Sequence, residues 1–184
     1  MGYLMKLCNQ PMSSDTPTIQ SIVDKQLRIL EETVKADKWT GAKYEIVKRA
    51  SMTNKGDFGE DVTTDIVNDV LKLAAERVNK GKGPFDIRLL LSTKTIEHKL
   101  ASEDVSGGFQ FNGLRKDNKY DYAFLLGISP EDLWYQMYRK EDLKLTVAMT
   151  SGGSDSFKVS KVKRDMIPLT AENLIQTFKD FDLV

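Results

Sequence analysis

The chain has 184 residues, 40% of them hydrophobic and 29% charged, the balance of a soluble globular protein with one hydrophobic core. Lys+Arg and Asp+Glu stand at 27 each, so no overall basic field draws the chain to nucleic acid, although positive charge can still gather on one face. One cysteine, Cys8, and one histidine, His98, exclude an intrachain disulfide framework and a cysteine-based zinc site, and leave few parts for a His-centred triad.

In chain order, the first 16 residues read as an irregular arm without the apolar stretch of a secretory signal. Nowhere does an apolar run approach the roughly 20 residues a membrane helix needs. The expectation is a reduced, cytoplasmic setting with no membrane partner. Thr16 and Pro17 form a helix-start signal. Ile19, Ile22, Val23, Leu27, Leu30 and Val34 follow at helical spacing, predicting a helix to about Ala36. Lys38–Thr53 is ambiguous between helix and strand. After KGDFGEDV a helix is predicted from Asp57 to Asn79, with Val62, Ile66, Val67, Val70, Leu71, Ala74 and Val78 on one arc, stopped by Gly81, Gly83 and Pro84. FDIRLLL and TIEHKLA read as a hairpin about Ser92–Thr93. FQFNGLR reads as a short helix or turn. Tyr120–Ile128 and Leu133–Arg139 read as strands. LKLTVAM, a tight SGGSDS turn, FKVSKVK and a helix from about Ala171 to Phe181 close the chain. The sum is one mixed α/β domain over 1–184. Its strand connections are mostly too short for parallel crossovers, so the central sheet, flanked by helices, is mixed or partly antiparallel.

Alternation along a strand puts Glu97 and Lys99 on one face and His98 on the other. A hairpin symmetric about Ser92–Thr93 sets Arg88 opposite Glu97 and Asp86 opposite Lys99, gathering Asp86, Glu97 and Lys99 on one face; a one-residue slip would send Asp86 to the other. Two carboxylates and an ammonium suit phosphodiester hydrolysis. The carboxylates supply oxygen ligands for a hard divalent ion, and the lysine orients a water or stabilises the pentavalent transition state.

GPFD (Gly83–Asp86), nine intervening residues and IEHKLAS (Ile96–Ser102) resemble the PD-(D/E)XK motif of restriction endonuclease-like nucleases, with Phe85 between Pro84 and Asp86 as the departure. The order of KGDFGE helix, Asp strand, ExK strand, FQFNGLR and YDYAFLLGI is also similar to that family's core, over about residues 55–140. The resemblance implies a restriction endonuclease-like α/β core and Mg²⁺-dependent cleavage of double-stranded DNA, with Mn²⁺ able to substitute. Asp86, Glu97 and the His98 backbone carbonyl would hold the ion, and Lys99 would serve the water. A restriction enzyme is the expected role. A repair, recombination or mobile-element nuclease and a non-catalytic DNA-binding domain are the alternatives. A homodimer is compatible with two-fold cutting.

The plainer readings are equally concrete. Asp86–Lys99 and Arg88–Glu97 could be simple cross-strand ion pairs, each worth under about 1 kcal/mol when exposed. Glu60 either caps its helix from Asp57-x-x-Glu60 or, lying at the edge of the apolar arc, leans toward the sheet to support the metal site. Lys158, Lys161, Lys163 and Arg164, and a second stretch with Arg115 and Lys116, are phosphate contacts or solvated lysines guarding a strand edge.

Overall fold

The computed structural model describes residues 19–33, 37–78, 83–147 and 157–184. These fall into two units. The first contributes helix α1 (Ile19–Thr33), within the span predicted as helical; the predicted start at Thr16–Pro17 and end at Ala36 lie outside the described residues. The second unit, from Lys38 onward, carries everything that follows.

The ambiguous Lys38–Thr53 segment is a turn, a short helix α2 (Glu45–Arg49) and the entry to α3 (Met52–Asp69). Ser51 caps α3, its hydroxyl accepting the Asn54 amide at 3.2 Å, so Asp57 and Glu60 lie inside the helix and the Asp57–Glu60 capping box does not form. The helix also ends earlier than its apolar period implied. Both hydrogen-bonding groups of the Asn68 side chain pair with the Ala75 backbone, at 2.7 and 3.1 Å, and Lys72 turns left-handed with φ 55°. Ala75–Arg77, predicted as helix, is thereby the edge strand β1.

The main sheet has six strands in the order β1, β2 (Ile87–Leu89), β3 (Thr95–Ser102), β5 (Tyr122–Ile128), β6 (Leu133–Arg139) and β9 (Ile167–Pro168). Only β3 and β5 run parallel; every other neighbouring pair is antiparallel. The connection between β3 and β5 contains a strand, β4 (Gly108–Leu114), in place of the short helix or turn expected for FQFNGLR. Phe109, Phe111 and Leu114 are buried while Gln110 and Asn112 are exposed. This is the side-chain alternation of a half-buried strand, and each buried side chain is worth about 1.5–3 kcal/mol. A second sheet has the order β4, β8 (Phe157–Val162) and β7 (Thr146–Val147). The SGGSDS segment lies outside the described residues.

Helix α4 (Ala171–Asp180), capped by Thr170, closes the chain, and its Thr177 hydroxyl meets the buried Tyr135 hydroxyl at 2.7 Å. Val67 and Leu71 from α3 and its end, and Leu174 and Phe178 from α4, cover Ile96, Phe124, Leu126 and Tyr135 on one face of the main sheet. Phe109, Phe111, Leu114 and Val159 of the small sheet cover Ala101, Ala123 and Leu125 on the other. Among the described residues no helix is long and apolar enough to cross a membrane.

Candidate active site

The β2–β3 connection is longer than a turn at Ser92–Thr93. Ile87 faces Ile96 and Arg88 faces Thr95, two places from the expected register. Two contacts explain the difference. The Leu90 amide leaves the hairpin to bond the Ala74 carbonyl at 2.7 Å, and the Asp121 carboxylate takes the Thr95 amide and hydroxyl, both at 2.8 Å. Arg88 accordingly pairs with Glu76 on β1, at 3.3 Å, and not with Glu97. Because a shift of two preserves parity, Asp86 still shares a face with Glu97 and comes level with it rather than with Lys99. The Asp86 amide bonds the Ile96 carbonyl at 3.0 Å, one place off the ladder, and its Oδ2 accepts the His98 amide at 2.8 Å. The carboxylate thus replaces a backbone acceptor where β2 begins.

Glu97 and Lys99 occupy the face of β3 that the small sheet covers. The Lys99 Nζ stands 2.7 Å from Glu97 Oε1, 2.8 Å from the His98 carbonyl oxygen and 3.3 Å from Asp86 Oδ2. Three oxygens on two strands therefore converge on one cation. Asp86 and Glu97 are only 8% and 4% exposed, so these are not solvated surface pairs. Burial pushes the Glu97 carboxyl up from the ordinary range, against the pull of Lys99, and the nearby Asp86 charge adds to the rise. Burial alone would lower the Lys99 ammonium; Glu97 and Asp86 outweigh it and hold the amine protonated.

His98 contributes only its backbone to this group. Its ring lies on the helical face, stacked on Phe124 with centroids 6.1 Å apart, and its Nε2 has no hydrogen-bond partner among the described residues. Gly59 makes room for it, since a Cβ there would lie 2.5 Å from the His98 ring and 2.9 Å from Leu100. This is what the second glycine in KGDFGE does. It lets α3 approach β3 closely and brings the next residue, Glu60, to the site.

Glu60 is buried, and its Oε2 accepts the Arg77 Nε at 2.6 Å. The same guanidinium bonds Asp57 and, at 3.0 Å, Asp61, so β1 grips three carboxylates of α3 through one side chain. Burial raises the Glu60 carboxyl, the Arg77 bond opposes that rise, and the Asp86 charge reinforces it. Among the described residues no three or more His, Cys, Asp and Glu side chains come close enough to hold an ion together. The available donor set is the Asp86 and Glu97 pair with the His98 carbonyl, and Glu60 stands outside it.

Several neighbours carried no sequence signal. Asn118 lies beside the Glu97 carboxylate and favours its charged form, and its own backbone carbonyl is held by the Lys140 ammonium, which sits 4.9 Å above the Tyr120 ring. The Tyr120 hydroxyl is buried without a partner among the described residues, and burial together with the Glu97 charge pushes it up to about 12. Gly113, at φ +80° in the irregular part of β4, passes beside Lys99, whose Cε is 3.9 Å from where a Cβ would stand. Tyr120 also lines an open cleft of about 440 Å³ that presents Lys94, Arg139 and Lys140.

The basic residues separate into two groups. Lys161 and Lys163 lie over the Tyr138 and Trp134 rings, at 4.9 and 4.8 Å, and Lys163 also approaches Glu103 and Asp132, at 3.9 and 4.0 Å. They tie the small sheet to the large one. Lys158 is on β8, Arg164 is 88% exposed at its side chain, and Arg115 and Lys116 begin the loop that brings Asn118 to Glu97. Lys116 lies 4.4 Å over the Phe157 ring. No protein-family model and no curated protein matches the chain.

Proposed function

We propose that the protein is a divalent-metal-dependent nuclease of the PD-(D/E)XK type that hydrolyses double-stranded DNA, with a sequence-specific restriction enzyme as its role. The observation that carries this reading is the convergence of Asp86, Glu97 and the His98 carbonyl on one cation position, with Lys99 at its centre. The element order supports it: a helix, three antiparallel strands bearing the Asp and ExK residues, and a strand parallel to the third.

The donors suit a hard ion. All three are oxygens, two of them anionic, and no thiolate or imidazole is among them. Asp86, Glu97 and the His98 carbonyl would hold Mg²⁺ or Mn²⁺. When bound, such an ion offsets charge on the phosphate and acidifies a water. The chain's own residues do the rest. Lys99, held as an ammonium, donates to the attacking water or to the oxygens on which charge develops. Asn118 beside the Glu97 carboxylate favours its charged form, and Glu60, gripped by Arg77, adds a negative charge near Asp86. Arg115 and Lys116 grip the sugar–phosphate backbone beside the cut. A non-catalytic DNA-binding domain is the second reading, favoured by the closed ion pairs of Lys99, which would then serve stability alone.

The deciding experiment is incubation of the purified protein with supercoiled plasmid. Mg²⁺ or Mn²⁺ should produce nicked and linear DNA, and EDTA should stop it. Discrete fragments on longer DNA would support the restriction role; preference for branched DNA would move the assignment to recombination or repair. Intact plasmid with either ion would leave the binding-domain reading.

A further inference from the structure

We propose that the Lys99 ammonium is a built-in competitor for the metal: in the metal-free chain it fills the hole between Asp86, Glu97 and the His98 carbonyl, and an ion enters only by displacing it. The inference rests on the nuclease reading for its choice of ligand oxygens.

An ammonium carries three N–H donors and no acceptor. Here Nζ has three oxygens within 3.3 Å, at 2.7, 2.8 and 3.3 Å, so the protein satisfies it without water. They are also the oxygens a divalent ion would take. Mg²⁺ binds oxygen at about 2.0–2.1 Å, so an ion sharing all three would sit against Nζ with like charges in contact. One hole serves one cation.

The lysine has somewhere to go. Its side chain is 21% exposed, and the strand passing beside it presents Gly113, which adds no side chain against the Lys99 Cε. The register of β4 against β8 shifts between Phe111 and Leu114, at this point. Asn118 beside Glu97 continues to favour the charged carboxylate while the ammonium leaves. Lys99 would then move from holding the carboxylates to facing the water and phosphate, and ion entry and readiness for chemistry become one event.

The test is calorimetric titration of Mn²⁺ and Mg²⁺ into the DNA-free protein, comparing wild type with Lys99→Met and Lys99→Gln. Both variants should bind the ion on the order of ten- to hundredfold more tightly, because a unit positive charge has left the site. Equal or weaker binding in the folded variants overturns the proposal. If Lys99→Met unfolds when its carboxylates lose their cation, added ion should restore its circular dichroism, and failure to do so counts equally against the idea. In the wild type, the slowly exchanging ¹⁵N ammonium signal of Lys99 should disappear at saturating Mg²⁺; an unchanged signal contradicts displacement. Plasmid cutting is scored separately. Ion competition without cutting refutes the nuclease reading alone, cutting without the affinity gain refutes the competition alone, and no ion binding by any of the three proteins overturns both.

Discussion

The two faces of β3 use alternate residues of one eight-residue strand for opposite purposes. Ile96, His98 and Leu100 face α3 and the other helix-side residues, where even the imidazole is dry. Glu97 and Lys99 face the small sheet, where two carboxylates, an ammonium and a backbone carbonyl meet. Burial is similar on both, with His98 at 2% and Glu97 at 4% exposure, so depth does not separate core from site. Partnership does. On the helical face the titratable group is kept neutral and without a hydrogen bond to its Nε2; on the other every buried charge has a counter-charge. The lesson is that a buried charge cluster is tolerated where opposite charges and hydrogen bonds meet within it, and a buried histidine where nothing asks it to ionise.

Enlarging the helical face at its tightest point should have the largest effect on stability. Gly59→Ala gains up to about 1 kcal/mol of helix propensity but drives a methyl into the stacked His98 ring, an overpacking that costs about 1–3 kcal/mol. The net result should be a lower midpoint in urea or heat, and the cost of Gly59→Ala should be smaller, though not zero, in a His98→Ala background, because Leu100 also lies 2.9 Å from the added Cβ. A higher midpoint for Gly59→Ala alone would mean that α3 and β3 are not in this contact.

Acid offers a second way to sharpen the contrast. Burial first, and the Lys99 and Arg77 charges next, lower His98 from 6.5 to about 3. The unfolded chain therefore takes up this proton near pH 6.5 and the folded chain only near pH 3. The stability of the neutral form is complete above pH 6.5 and falls between those values by up to about 1.4 kcal/mol per pH unit. His98→Leu should remove that component, so wild type and variant urea midpoints should diverge from pH 7 to pH 5. Parallel pH curves would show that the ring is hydrated.

The smallest effects belong to the basic residues. Arg115→Ala should reduce the slope of log K for DNA against log salt by about one, and Lys116→Ala by less, because Lys116 already lies over the Phe157 ring. Lys161→Ala and Lys163→Ala should change it less, because those cations are engaged by Tyr138 and by Trp134, Glu103 and Asp132. They should instead lower stability by about 0.5–1 kcal/mol each. Equal slope losses in all four would restore the expectation of phosphate contacts along Lys158–Arg164.

These cases also show what the sequence can and cannot reveal. The gathering of Asp86, Glu97 and Lys99 was legible because strand alternation depends on parity, and the register error was two residues, which parity survives. The end of α3 was not. Ala75–Arg77 continues a helical apolar period, and the stop comes from a side-chain clamp by Asn68, which periodicity does not contain. β4 was hidden by its glycines, one of which sits at the irregularity beside Lys99. Asn118 and Arg77 were invisible for another reason: their contacts with Glu97 and Glu60 exist only after a crossover and a strand edge have been built. Glu60 was legible in direction but not in partner, since its bond is to Arg77 and not to its own helix cap.

Whether the cation site on β3 cuts DNA is read by single-turnover plasmid cleavage across a Mg²⁺ titration by wild type, Glu97→Ala and Lys99→Ala, with folding checked by circular dichroism. A nuclease site there should give metal-dependent cleavage by the wild type, lost with EDTA, and a fall of about a hundredfold or more in each folded variant. Cleavage by Glu97→Ala or Lys99→Ala at the wild-type rate, or none by the wild type at any Mg²⁺ or Mn²⁺ concentration, would contradict it.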